Sequence, residues 1–120
     1  MSNQELHIEE VKNHQDVMTF IRFPWKIYQG DPCWVPPLVK DQLQKFSPNH
    51  PFRSHSEMTL LVAYRGEEVA GRMAGIVDQS FIEFHQEKTG FFGFFESIQD
   101  SQVTELLLSS VRDWLREHGM

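Results

Sequence analysis

Glu96 closes a run of aromatic residues, Phe91, Phe92, Phe94 and Phe95. A carboxyl group set among rings is partly stripped of water, and such a setting suits it to accept a proton near neutral pH. The plainer reading is an acid at a strand end that faces solvent. Arg72 lies in the mostly apolar stretch VAGRMAGIV, residues 69–77. It could meet a ligand carboxylate or phosphate, or pair with an acid at the sheet surface. Trp25, Tyr28, Trp34 and the pair Pro36–Pro37 could wall a substrate pocket, or form a stiff loop packed over a sheet. Cys33 stands between Pro32 and Trp34 with no visible His and acid to activate it, so it reads as a small buried residue rather than a nucleophile. There are six histidines, and His50 and His55 share a loop. No HExxH or CxxC frame accompanies them, so no metal site is expected.

The chain has 120 residues, 40% of them apolar, with ten Phe and three Trp. That is enough for one domain with one core (residues 1–120), and it is a globular composition rather than a disordered one. The formal net charge is −6, and acids and bases are interspersed. A nucleic-acid partner is therefore not expected, because a phosphate backbone rewards a basic face. One cysteine allows no internal disulfide and fits a reduced, cytoplasmic setting. The N-terminus is polar and acidic, unlike a signal peptide, and no apolar run reaches the roughly 20 residues of a membrane span, so no membrane partner is expected.

The elements that must position these side chains follow from periodicity. Leu6 and Ile8 alternate in a short first strand. Asn13 followed by Asp16 predicts a helix start, and Val17, Met18, Ile21, Trp25 and Tyr28 continue at helical spacing. Pro24 should kink or split that helix, because it lacks an N–H and its ring clashes with the preceding turn. Residues 29–38 form a Pro-rich loop, 38–46 a short helix and 47–56 a second loop. MTLLVAY (58–64), the polar turn 65–68 and VAGRMAGIV (69–77) predict a β-hairpin. Its first strand is apolar on both faces, which predicts cover on both faces. Gly71 and Gly75 share one face and permit close approach of a helix, a ligand or another backbone. Residues 79–86 predict a short helix, and TGFFGFFES (89–97) a strand with Glu96 on the face of Phe92 and Phe94. The last helix, capped by Asp100 or Ser101, carries the stripe Val103, Leu106, Leu107, Val111, Trp114 and Leu115, and Gly119 fits its C-terminal stop.

This order, β-α-α-β-β-α-β-α, resembles the first half of the GNAT acyltransferase fold: α+β, a mostly antiparallel sheet with helices on both faces, here without its C-terminal half. The segments FPWKIYQGDPCWVPPL (23–38), VAGRMAGIVD (69–78), TGFFGFFESIQD (89–100) and LLLSSVRDWLREHGM (106–120) are similar to a set of GNAT-like bacterial proteins, usually much longer. The resemblance implies an N-terminal piece, inactive by itself, of an N-acyltransferase that uses acetyl-CoA and a small-molecule amine. Glu96 would be the general base, acting through water. The pantetheine arm would pair with the fourth strand at Phe94, Phe95 and Ser97. The pyrophosphate would rest on the helix start at Ser101, Gln102, Val103 and Thr104. The phosphate loop departs from the family pattern: in Gln99-Asp100-Ser101-Gln102-Val103-Thr104, Gln102 and Thr104 replace small residues and Asp100 adds a negative charge. A non-catalytic, GNAT-shaped binding module is the alternative. The open edge of the fourth strand predicts possible self-association.

Overall fold

The computed structural model describes residues 5–47 and 50–120. The elements run β1 (Leu6–Glu10), α1 (His14–Ile27), α2 (Val39–Lys45), a 3-10 turn (Pro51–Ser54), β2 (Ser56–Arg65), β3 (Glu68–Asp78), α3 (Gln79–His85), β4 (Phe91–Ser97) and α4 (Ser101–Glu117). Every strand pairs antiparallel with its neighbour, in the order β1-β2-β3-β4. The fold is therefore α+β with the expected element order.

Alternation along β2 sends its side chains to two cores. Leu61 and Ala63 join Met73, Val103, Leu107 and Val111 beneath α4. Leu60 and Val62 join Phe20, Ile21 and Phe46 beneath α1 and the end of α2. Each fully buried side chain of this size contributes about 1.5–3 kcal/mol. Gly71 and Gly75 admit α4: a Cβ on Gly71 would lie 2.9 Å from Leu107 Cδ1 and Val103 Cγ1, and one on Gly75 would lie 3.0 Å from Trp114 Cε3. Both bare positions admit the helix, and at Gly71 a Cβ would also meet the Glu96 backbone carbonyl at 3.2 Å.

Local signals set the helix ends. The Asp16 amide donates to Asn13 Oδ1 at 2.8 Å, and the Lys12 amide donates to Asp16 Oδ2 at 3.2 Å. Helix α4 stops in a left-handed Gly119 (φ 85°), with the Gly119 amide on the Arg116 carbonyl and the Met120 amide on that of Leu115. That pair of bonds satisfies two carbonyls the helix leaves open.

Helix α1 does not split at Pro24; it runs unbroken from His14 to Ile27. The missing proline N–H would leave the Phe20 carbonyl, four residues earlier, without its helical donor. Arg72 supplies one from the sheet. Its Nη1 donates to that carbonyl at 2.9 Å, and its guanidinium lies over the Phe20 ring, 4.8 Å from the centroid. Arg72 is only 7% exposed. The residue read as a ligand or surface partner thus completes a helix.

If so, Arg72→Met should lower unfolding free energy by about 1–3 kcal/mol, the penalty of a buried carbonyl left unmade. In a Pro24→Ala background residue 24 brings its own N–H, so the loss should shrink by at least about 0.5 kcal/mol. Urea unfolding of the four proteins measures this; strictly additive losses would refute the pairing.

Candidate functional site

Tyr28 caps the C-terminus of α1, its amide bonded to the Pro24 carbonyl. The chain then turns sharply. The Asp31 amide reaches the Tyr28 carbonyl at 3.0 Å, and Gly30 takes φ 83°, a conformation glycine adopts without strain. The Cys33 amide donates to Asp31 Oδ1 at 2.8 Å, and the Trp34 amide to the Asp31 carbonyl at 3.3 Å. These bonds lay Trp34 on Tyr28, ring centroids 5.3 Å apart and nearly parallel, with Trp25 edge-on to Trp34 at 5.2 Å. The three rings pack on one another, while Pro36, Pro37 and Leu38 stay exposed. Cys33 is also exposed, not buried as expected, because the turn points this stretch away from the sheet.

The ring cluster meets β4 at Glu96. The Tyr28 hydroxyl donates to Glu96 Oε2 at 2.8 Å. Glu96 is half-buried and stands opposite Arg72 across the β3–β4 pair. It does not share a face with Phe92. The register shifts between Arg72 and Ala74, and Phe94 adopts φ 55°. This bulge places two residues against one, so alternation slips by one along the strand. Phe92 consequently sits opposite Gly75, on the α4 side, while Phe94 packs on Phe46 beneath α1, centroids 5.0 Å apart. The aromatic run is not all core: Phe94 is anchored, whereas Phe91, Phe92 and Phe95 are exposed, Phe92 by 57%. The reason is that α4 packs over β1 to β3 and leaves the last strand largely uncovered.

Electrostatics tie the three polar groups together. The bond donated to Glu96 raises the Tyr28 phenol above its ordinary value, with burial and the Glu96 charge acting the same way. Burial lowers Arg72, and the charge of Glu96 opposes that shift. The guanidinium stays charged in any case. The arrangement can therefore hold a carboxylate in place beside an open strand edge, with Oε1 free of protein partners among the described residues.

The helix start expected to hold an anion is built differently. Asp100 caps α4, its Oδ1 accepting from the Gln102 amide at 3.0 Å. The Val103 and Thr104 amides bond the Asp100 carbonyl, at 3.1 and 3.3 Å. Arg65 Nη2 donates to Asp100 Oδ2 at 2.8 Å and to Gln102 Oε1 at 3.0 Å. Val103 is fully buried, and Thr104 Oγ1 lies 3.4 Å from Ser97 Oγ. Ser101 is exposed. Burial would raise the Asp100 carboxyl, but the Arg65 bond and the backbone amides outweigh it and hold it below the ordinary carboxylate range. The Asp100 carboxylate and the Gln102 side chain, both held by Arg65, therefore occupy the first turn of α4.

Reading residue types found Glu96, Tyr28, Trp34 and Arg72 but not their convergence, since Tyr28 and Glu96 are 68 positions apart. Arg65 was missed, read only as part of a turn. Surface grooves open at Val11, Met58, Trp114 and His118, and at Arg65, Gln102 and Arg112; neither is lined by Glu96. Among the described residues, no three His, Cys, Asp or Glu side chains gather as a metal would need, and no helix is long and apolar enough to cross a membrane.

The chain has two tyrosines, so the phenol of Tyr28 is measurable. Ultraviolet titration of wild type minus Tyr28→Phe should show Tyr28 ionising above pH 10, and Glu96→Gln should bring that midpoint down. An unchanged midpoint in Glu96→Gln would show that the carboxylate does not govern the phenol.

The chain is similar to Protein YghO of Escherichia coli, 32% identical over 107 residues that make up 89% of this chain and 27% of that protein. It is also similar to Bacterial ceramide synthase of Caulobacter vibrioides, 30% identical over 120 residues, 98% of this chain and 31% of that protein. The chain thus spans about a third or less of the length of these curated relatives. No family model and no solved structure matches it.

Proposed function

We propose that the chain forms one wall of an N-acyltransferase site, in which Glu96 takes the proton of an acceptor amine. The observation that carries this reading is the carboxylate fixed by Tyr28 beside the outer edge of β4. The relative named Bacterial ceramide synthase supports it, because ceramide is an amide and its synthesis joins an acyl group to an amine. The acceptor nitrogen attacks an activated acyl carbonyl and forms the C–N bond. Its proton passes to Glu96, directly or through one water, and the leaving group departs with its electron pair and takes up a proton. The Tyr28 hydroxyl keeps the carboxylate oriented throughout, and the Trp34 and Trp25 rings give the acceptor an apolar wall.

The resemblance to GNAT enzymes makes acetyl-CoA the first donor to test, with a small amine as acceptor. The alternative reading, a GNAT-shaped binding module without catalysis, is favoured by one specific observation: the carboxylate of Asp100 at the start of α4.

The test is N-acylation by the full-length protein, followed by mass spectrometry. The donors are acetyl-CoA, palmitoyl-CoA and S-acetylpantetheine, and the acceptors are short alkyl amines and a long-chain amino alcohol. Glu96→Gln should lower kcat by about 10²–10⁴-fold, the usual contribution of general-base catalysis, with little change in KM. No amide product from any donor would favour the binding module, and full activity in Glu96→Gln would show that another group is the base.

A further inference from the structure

The cleft a GNAT-like fold would offer an acyl donor has two polar supports, the edge of β4 and the first turn of α4. In this chain they are in opposite conditions. The outer edge of β4 is unpaired by any other strand among the described residues. In the first turn of α4 the Gln102, Val103 and Thr104 amides are taken by Asp100, while the exposed Ser101 amide makes no such bond. The Asp100 carboxylate lies where an incoming anion would lie, and both of its oxygens are engaged, one by the Gln102 amide and one by Arg65. Arg65 also grips the Gln102 side chain, which fixes a bulky amide where close approach of a phosphate needs a bare backbone. A second anion brought here would meet a like charge at hydrogen-bond range, without the amide or the guanidinium it would need in exchange.

We propose that Asp100 and Arg65 form a built-in cap that replaces a donor's diphosphate at the start of α4, so that the acyl donor is a thioester held by its pantetheine arm without help from a diphosphate. The identity of the arm rests on the acyl-transfer reading above; the exclusion of the diphosphate does not. The cap is also a lock with a defined key. Asparagine serves as an N-cap about as well as aspartate, so Asp100→Asn keeps the helix start while removing the charge. It also frees Arg65 from its carboxylate partner.

Calorimetric titration of the full-length protein with CoA and with S-acetylpantetheine decides the matter. In the wild type, CoA should bind no more than about twofold tighter than S-acetylpantetheine, or not measurably. In Asp100→Asn, CoA should gain about tenfold or more, the effect of removing a like charge beside an anion, while S-acetylpantetheine is unchanged. Adding Arg65→Met to Asp100→Asn should abolish that gain. Wild-type CoA binding much tighter than S-acetylpantetheine would overturn the proposal. So would an Asp100→Asn protein that binds CoA no better than wild type, whether or not the wild type binds it. Failure of acylation with intact Asp100→Asn behaviour would instead count against the acyl-transfer reading alone.

Discussion

A buried guanidinium ties α1 to the sheet. Proline within α1 removes the donor that the Phe20 carbonyl would normally receive, and Arg72 of β3 replaces it across the layer boundary. The bond registers α1 against the sheet, since it forms only when one turn of the helix lies over one residue of the strand. One turn further on, the Pro24 carbonyl takes the Tyr28 amide at the end of α1. The same cation lies opposite Glu96. The carboxylate therefore sits between the end of a helix and the side chain that secures that helix, and its surroundings follow from packing rather than from any local motif.

The two faces of the sheet contribute unequally to the site. On the α4 side, Gly71 and Gly75 let a well-packed helix come close, and that contact is a matter of stability. On the α1 side, rings and polar groups converge on an uncovered last strand. Such a division is common in functional domains, where a tightly packed half carries a more open half that meets the ligand.

Much of this was legible from local pattern. The hairpin, the α4 stripe and the Asn13 cap rest on neighbours within a few residues, so propensity and periodicity decide them. The split expected at Pro24 does not occur, because its repair by Arg72 is a tertiary event with no local trace. The side of the sheet on which Phe92 lies was misjudged because strict alternation assumes an unbroken ladder. Nothing about Phe94 announces a left-handed backbone, which a phenylalanine rarely adopts. Asp100 was recognised both as a capping residue and as an unwelcome charge near an anion site. What joined those two descriptions was Arg65, brought there by the turn of the hairpin rather than by any spacing along the chain.

The offset at Phe94 has a consequence for the molecule's sociability. An unprotected strand border invites another copy to extend the sheet, and a long straight border is the most inviting. Here the border is broken in the middle, so a docking strand that matches Phe91 to Gly93 falls out of step at Phe95 to Ser97. Neither segment is long enough to nucleate a stack by itself. The same irregularity that turns Glu96 toward Tyr28 thus divides the rim into two short segments that are out of step with each other.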